Sequence, residues 1–162
     1  MEESERMEGV VPETPEGNRV YSTEKMLVDQ FVRVLGRQEN PWGPVSVSCE
    51  FFYARGKTDV LALADGEVLI AFEAKLKDWR CALDQAYRNT CFAHKSYVVV
   101  PKATALTAFA YIAEFKRRGV GLCYVDNTGG LTVLEEPETS IPIEPWIATR
   151  AASHARSDRE GA

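Results

Sequence analysis

Thr58-Asp59-Val60-Leu61-Ala62-Leu63, a turn at Asp65-Gly66, Ile70-Ala71-Phe72-Glu73-Ala74-Lys75, then Asp78-Trp79 and a run carrying Gln85: this stretch decides the fold. Its first two runs are apolar and strand-like, and the Asp-Gly pair between them is a hairpin signal. Trp79, Ala82, Leu83, Ala86 and Thr90 then recur at helical spacing. Residues 78–92 therefore read as an amphipathic helix whose other face carries Gln85, Arg88 and Asn89. Two carboxylates and a lysine lie within the apolar strands. A charged side chain is costly to bury there unless it is paired, metal-bound or otherwise compensated.

Working outward, Ser22 or Thr23 can cap a helix with the stripe Leu27, Val28, Phe31, Val34 and Leu35, ended by Gly36. Val45 to Tyr53, rich in valine and aromatics, reads as a strand before the hairpin. Beyond residue 92, Tyr97-Val98-Val99-Val100 is the continuous apolar run of a strand covered on both faces. Thr104 to Arg118 reads as a second amphipathic helix, followed by strands at Val120 to Val125 and Leu131 to Leu134. The order α, β, β, β, α, β, α, β, β predicts an α/β fold, a mixed central sheet flanked by helices.

The 162 residues suit one domain, over residues 19–147. Residues 1–18 are rich in glutamate and poor in large apolar side chains, so a disordered or loosely attached acidic arm is expected; residues 148–162 read as a flexible tail. A composition 45% hydrophobic and 27% charged is that of a globular protein, and a formal charge of −5 argues against a non-specific nucleic-acid coat. It does not exclude a nucleic-acid enzyme, because bound cations and a local basic rim offset the net sign. Cys49, Cys81, Cys91 and Cys123 form no CxxC pair and read as free thiols. With no leader and no membrane-length apolar run, the expected location is cytoplasmic, away from membranes.

Glu73 and Lys75 project to the same side of their strand. Asp59 joins them only if the hairpin loop has an odd number of residues. A two-residue turn pairs Asp59 with Phe72; a three-residue connection, expected as a type I turn with Gly66 left-handed in a bulge, sets Asp59 beside Glu73. In that register Asp59, Glu73 and the backbone carbonyl of Ala74 offer hard oxygen ligands to magnesium or manganese. Lys75 is then placed to orient or help deprotonate an attacking water. Lys57, Lys77 and Arg88 stand out among the flanking basic residues as candidate phosphate contacts. Taken separately, Glu73 and Lys75 also suit a cross-strand salt bridge, and Lys116-Arg117-Arg118 suits the dipole at a helix end.

Asp59 followed after a hairpin by Glu73-Ala74-Lys75, on an αβββαβ order from about Tyr21 to about Pro137, resembles the PD-(D/E)xK, or restriction-endonuclease-like, nuclease superfamily. The resemblance implies that fold's core and a magnesium- or manganese-dependent nuclease, most directly on DNA. It assigns Asp59 and Glu73 to the metal and Lys75 to the water. It adds Glu24, where the family's first helix often carries an acid, and Gln85, where the following helix often carries glutamine or lysine. RecB-type members show QxxxY at that helix; this chain has Gln85-Ala86-Tyr87-Arg88-Asn89, with Asn89 at the tyrosine's position and Thr58 at the proline's. Members commonly pair as C2 homodimers, so a homodimer is expected. Two alternatives remain open: a catalytically inactive relative that binds nucleic acid or regulates, and an assembly domain whose strand charges pair only with one another.

Overall fold

Thr23 accepts the amide N–H of Met26 on its hydroxyl and starts α1 (Glu24–Leu35), which Gly36 ends as its spacing predicts. The computed structural model that shows this describes residues 20–161, with side chains through residue 157. The expected acidic arm over residues 1–18 lies outside the described residues. After α1 come β1 (Val45–Tyr53), β2 (Gly56–Ala64), β3 (Val68–Ala74), α2 (Trp79–Asn89) and β4 (Lys95–Pro101). They are followed by α3 (Lys102–Phe109), α4 (Ile112–Arg118), β5 (Gly121–Val125), β6 (Leu131–Glu135) and α5 (Pro145–Gly161).

The six strands form one mixed sheet in chain order. Strands β1, β2 and β3 are antiparallel, β3, β4 and β5 parallel, and β6 returns antiparallel to β5. The parallel steps are bridged by helices, as a crossover requires. One face buries Val60, Ala62, Ile70, Phe72, Tyr97 and Val99 under Leu27, Phe31 and Leu35 of α1. The other face is shared. Leu61, Leu63, Leu69 and Ala71 lie beneath Ile147, Ala151 and Ala155 of α5, while Val98, Val100 and Leu122 lie beneath α2, α3 and α4. Among the described residues no helix is long and apolar enough to cross a membrane.

Two expectations are corrected. Residues 148–161 are not a flexible tail: they belong to α5, whose Ile147, Ala151 and Ala155 are buried on the sheet. An i, i+4 stripe built largely of alanines buries little area per residue, so it reads as weakly amphipathic, yet it lets a helix lie close on β1. The single helix expected over 104–118 is two, broken at Ala110-Tyr111, where Tyr111 leaves helical geometry and sets its ring 5.4 Å from that of Trp79.

Candidate functional site

The hairpin register decides which side chains meet at the split. Ala64 pairs with Val68, and the ladder runs to Val60 opposite Phe72. The connection is residues 65–67, an odd number, and one further step sets Asp59 opposite Glu73. The turn differs from expectation. Both Asp65 (φ 55°) and Gly66 (φ 73°) are left-handed, as in a type I′ turn, and Glu67 is the extra residue.

Strands β2 and β3 part company beyond Val60. β2 extends four residues further toward Gly56 with β1 as its ladder partner. At the same level β1 and β2 roll over together. Val45 and Val47 face α1, whereas Phe51 and Tyr53, of the same parity, face α5 and the end of α2. The roll is centred on Glu50, which has φ 58° and drops out of the ladder opposite Asp59. It turns Thr58 toward α2 and leaves Asp59 at the mouth of the split. There Asp59 Oδ2 accepts the backbone N–H of Ala74 at 2.9 Å, where a strand partner would otherwise stand.

Glu73 is 1% exposed. Burial, together with the Asp59 charge alongside it, pushes its carboxyl up to about 9, although the hydrogen bond from Asn89 works the other way. Glu73 therefore keeps its proton at neutral pH, with the Asp59 carboxyl alongside. Asn89 Nδ2 donates to Glu73 Oε2 at 2.8 Å, and Asn89 Oδ1 accepts from the hydroxyls of Tyr53 (2.7 Å) and Thr58 (2.9 Å). Two donors on one amide oxygen fix which way the amide faces. Burial also raises the Tyr53 phenol above its usual range, so it stays a donor.

Lys57 Nζ stands 3.3 Å from Asp59 Oδ1. Partial burial opposes its charge, but Asp59 outweighs burial and the net shift is upward. Lys57, expected as a phosphate contact, is therefore a partner of the carboxylate pair. Lys75 begins the connection after β3, held by its N–H on the carbonyl of Val99 (3.2 Å), and its ammonium pairs with Glu24 Oε2 at 3.8 Å. Both side chains are partly exposed, so this loose pair does not lock Lys75. Gln85 lies one turn before Asn89 on α2, and its Oε1 is buried without a hydrogen-bond partner. Arg88 is exposed, its Nε 3.9 Å from where a Cβ would stand on Gly56; Lys77 is exposed before α2.

Among the described residues no three side chains of His, Cys, Asp or Glu converge. The acidic set is thus two carboxylates, and a third oxygen has to come from the backbone. In an extended strand a residue's N–H and C=O point to the same side. The N–H of Lys75 serves β4 and that of Ala74 serves Asp59, so the carbonyl of Ala74 also faces the split. Two neighbouring carboxyls and a carbonyl turned the same way are oxygen donors of the kind that suits a hard cation. A cavity of about 750 Å³ lined by Arg37, Asp65 and Arg156 includes none of these residues.

Sequence reasoning passed over Asn89, Tyr53 and Thr58 as site residues. The signal for Asn89 was its place four residues after Gln85, which puts it on the same side of the helix. No family model matches the chain, and no curated protein matches it. Among solved structures it is similar to SPO1766, a protein of unknown function from Silicibacter pomeroyi, with a TM-score of 0.56 at 14% identity over 87% of this chain and 91% of that one. At that identity the likeness is one of fold.

Proposed function

We propose that the chain is a divalent-metal-dependent nuclease of the PD-(D/E)xK type, hydrolysing phosphodiester bonds, with DNA the favoured substrate. The observation that carries this reading is the neighbouring acidic pair Asp59–Glu73 at the split between β2 and β3, with Glu73 buried at a cost that a bound cation would offset. The αβββαβ order over α1 to β4 supports it. Asp59, Glu73 and the carbonyl of Ala74 would hold magnesium or manganese. When bound, such an ion acidifies its water and neutralises phosphate charge.

The chain's own groups do the rest. Asn89 holds Glu73, and the Ala74 amide holds Asp59. Lys75 orients the attacking water and stabilises charge on the phosphate oxygens as the new P–O bond forms and the bond to the leaving oxygen breaks. Glu24 stands beside Lys75 as its loose ion-pair partner. Gln85 offers its free oxygen to the water or the ion. The test is incubation of the full chain with single-stranded, duplex, flapped and four-way-junction DNA, with manganese or with EDTA, beside Lys75→Ala. Cleavage that needs the metal and is lost in Lys75→Ala is the expected result; no cleavage of any substrate sinks the reading.

A second reading rests on Lys57. Its ammonium already lies on Asp59, a cation supplied by the chain itself, as in a fold relative that binds nucleic acid without cutting it. Metal-independent DNA binding with no cleavage, unchanged by Lys57→Ala, would favour that module.

A further inference from the structure

The carboxylate pair leaves unused a groove made by two helices. On α2 the buried stripe takes Ala82, Leu83, Ala86 and Asn89, which turns Tyr87 and Arg88 outward; Tyr87 is 52% exposed. On α4 the last turn is Lys116-Arg117-Arg118, stopped by left-handed Gly119. The dipole explains why basic residues suit that turn. It does not explain where they lie. Arg117 and Arg118 line one groove with Asp84, Tyr87 and Arg88, about 460 Å³ in volume. Arg118 bonds Asp84 at 2.6 Å, and its guanidinium stands 5.7 Å from the Tyr87 ring centroid, so the groove's wall is held by its own contacts.

Arg88 is the groove residue adjacent in the chain to a partner of the carboxylate pair. Arg88 lies over Gly56, the start of the strand that carries Lys57, Thr58 and Asp59, and the next residue after Arg88 is Asn89 on Glu73. Three guanidinium groups face one carboxylate, a local positive surplus on a chain whose formal charge is −5. An exposed aromatic ring between arginines is a platform on which an unpaired base stacks, and the guanidinium groups suit the backbone phosphates. A paired duplex hides its base faces, and an acidic peptide offers no flat face to the ring.

We propose that this groove is a docking track for single-stranded nucleic acid. One base stacks on Tyr87, the phosphates lie on Arg88 and Arg117, and the strand leads toward Asp59 and Glu73. The direction of the strand rests on the nuclease reading; the binding itself does not.

Fluorescence anisotropy of a labelled oligothymidylate, titrated with the full chain in EDTA so that nothing is cut, tests the track. Tyr87→Ala is expected to weaken binding about tenfold or more. Arg117→Ala is expected to lower the slope of log affinity against log salt by about 0.7. Asp84→Asn, which removes the groove's one negative charge, is expected to tighten binding. All three side chains are exposed, and matched melting temperatures check that the variants fold. Unchanged affinity in both Tyr87→Ala and Arg117→Ala overturns the proposal. So does an equal loss for duplex and single strand, which places a duplex in the groove, or displacement of a bound acidic peptide with no oligonucleotide binding. A protein that binds oligothymidylate here but cuts nothing in manganese keeps the track and loses the nuclease. One that cuts, with both variants binding as wild type, does the reverse.

Discussion

Asn89 donates its side-chain amide to Glu73 Oε2 at 2.8 Å, the polar tie between α2 and the carboxylate pair. Its other end is fixed by Tyr53 and Thr58, from the two strands that roll over beside the split. The amide therefore ties α2 to three strands at once, and the position of Glu73 is set by a network in which every partner is buried or nearly so.

Replacing Asn89 by leucine keeps much of its volume and removes its bonding. Glu73 loses a donor, and two buried hydroxyls lose their acceptor. At about 1–3 kcal/mol for each buried group left unsatisfied, partly relieved by rearrangement, Asn89→Leu is expected to cost about 3 kcal/mol or more in urea denaturation. A loss under 1 kcal/mol would show that the network does not hold the site.

The pH dependence of the metal-free protein follows from Glu73. Below its ordinary value of 4.5 the group is protonated in both folded and unfolded chains. Between there and about 9 the unfolded chain gives up the proton and the folded one keeps it, so stability falls as pH rises. Glu73→Gln retains an acceptor for Asn89 and removes the titration. Thermal melts in EDTA are expected to match wild type near pH 4 and to exceed it near pH 9, on the order of a few kcal/mol. A variant less stable than wild type at pH 8 would assign the strand charges to plain pairing instead.

Manganese is expected to raise the melting temperature of the wild type, by about 2.7 kcal/mol of stability at a hundredfold excess over the dissociation constant. Asp59→Asn, which keeps an oxygen for the Ala74 amide, is expected to lose most of that gain. An equal gain in both proteins would place the ion elsewhere.

Helix α5 covers Leu61, Leu63, Leu69 and Ala71, and Ala151 is fully buried against them. Ala151→Arg puts a long charged chain where no room exists and is expected to lift the helix from the sheet, exposing an apolar face. Loss of cooperative unfolding or aggregation on expression is the readout, whereas Ser153→Arg, on a less buried side, is expected to be silent.

How much of this was legible in the residues depends on which physical signal each feature emits. The hairpin and the helix after it announce themselves through Asp65-Gly66 and the Trp79 stripe. The loop's odd length is another matter: only a requirement that Asp59 meet Glu73 selects it, and it holds. The left-handed Asp65 differs from the expected type I turn because Asp-Gly also suits a type I′ turn, which is left-handed at both positions, and the odd loop length is compatible with either. Asn89 was hidden because it reads as an ordinary polar helix residue until its neighbour across the sheet is known. Helix α5 was hidden by its alanines, whose small side chains carry little hydrophobic signal though they pack closely. The roll at Glu50 has no sequence mark at all.

The bond from the Ala74 amide to Asp59 makes a single proton informative. A backbone N–H that answers to a carboxylate rather than to a neighbouring strand takes its chemical shift and its exchange rate from that carboxylate's state. In a spectrum of the full chain, resonance Ala74 would therefore serve as a gauge of the split. An ion, a nucleotide or a mutation that draws Asp59 aside would register there, while Phe72, anchored in the ladder two residues away, supplies the internal reference.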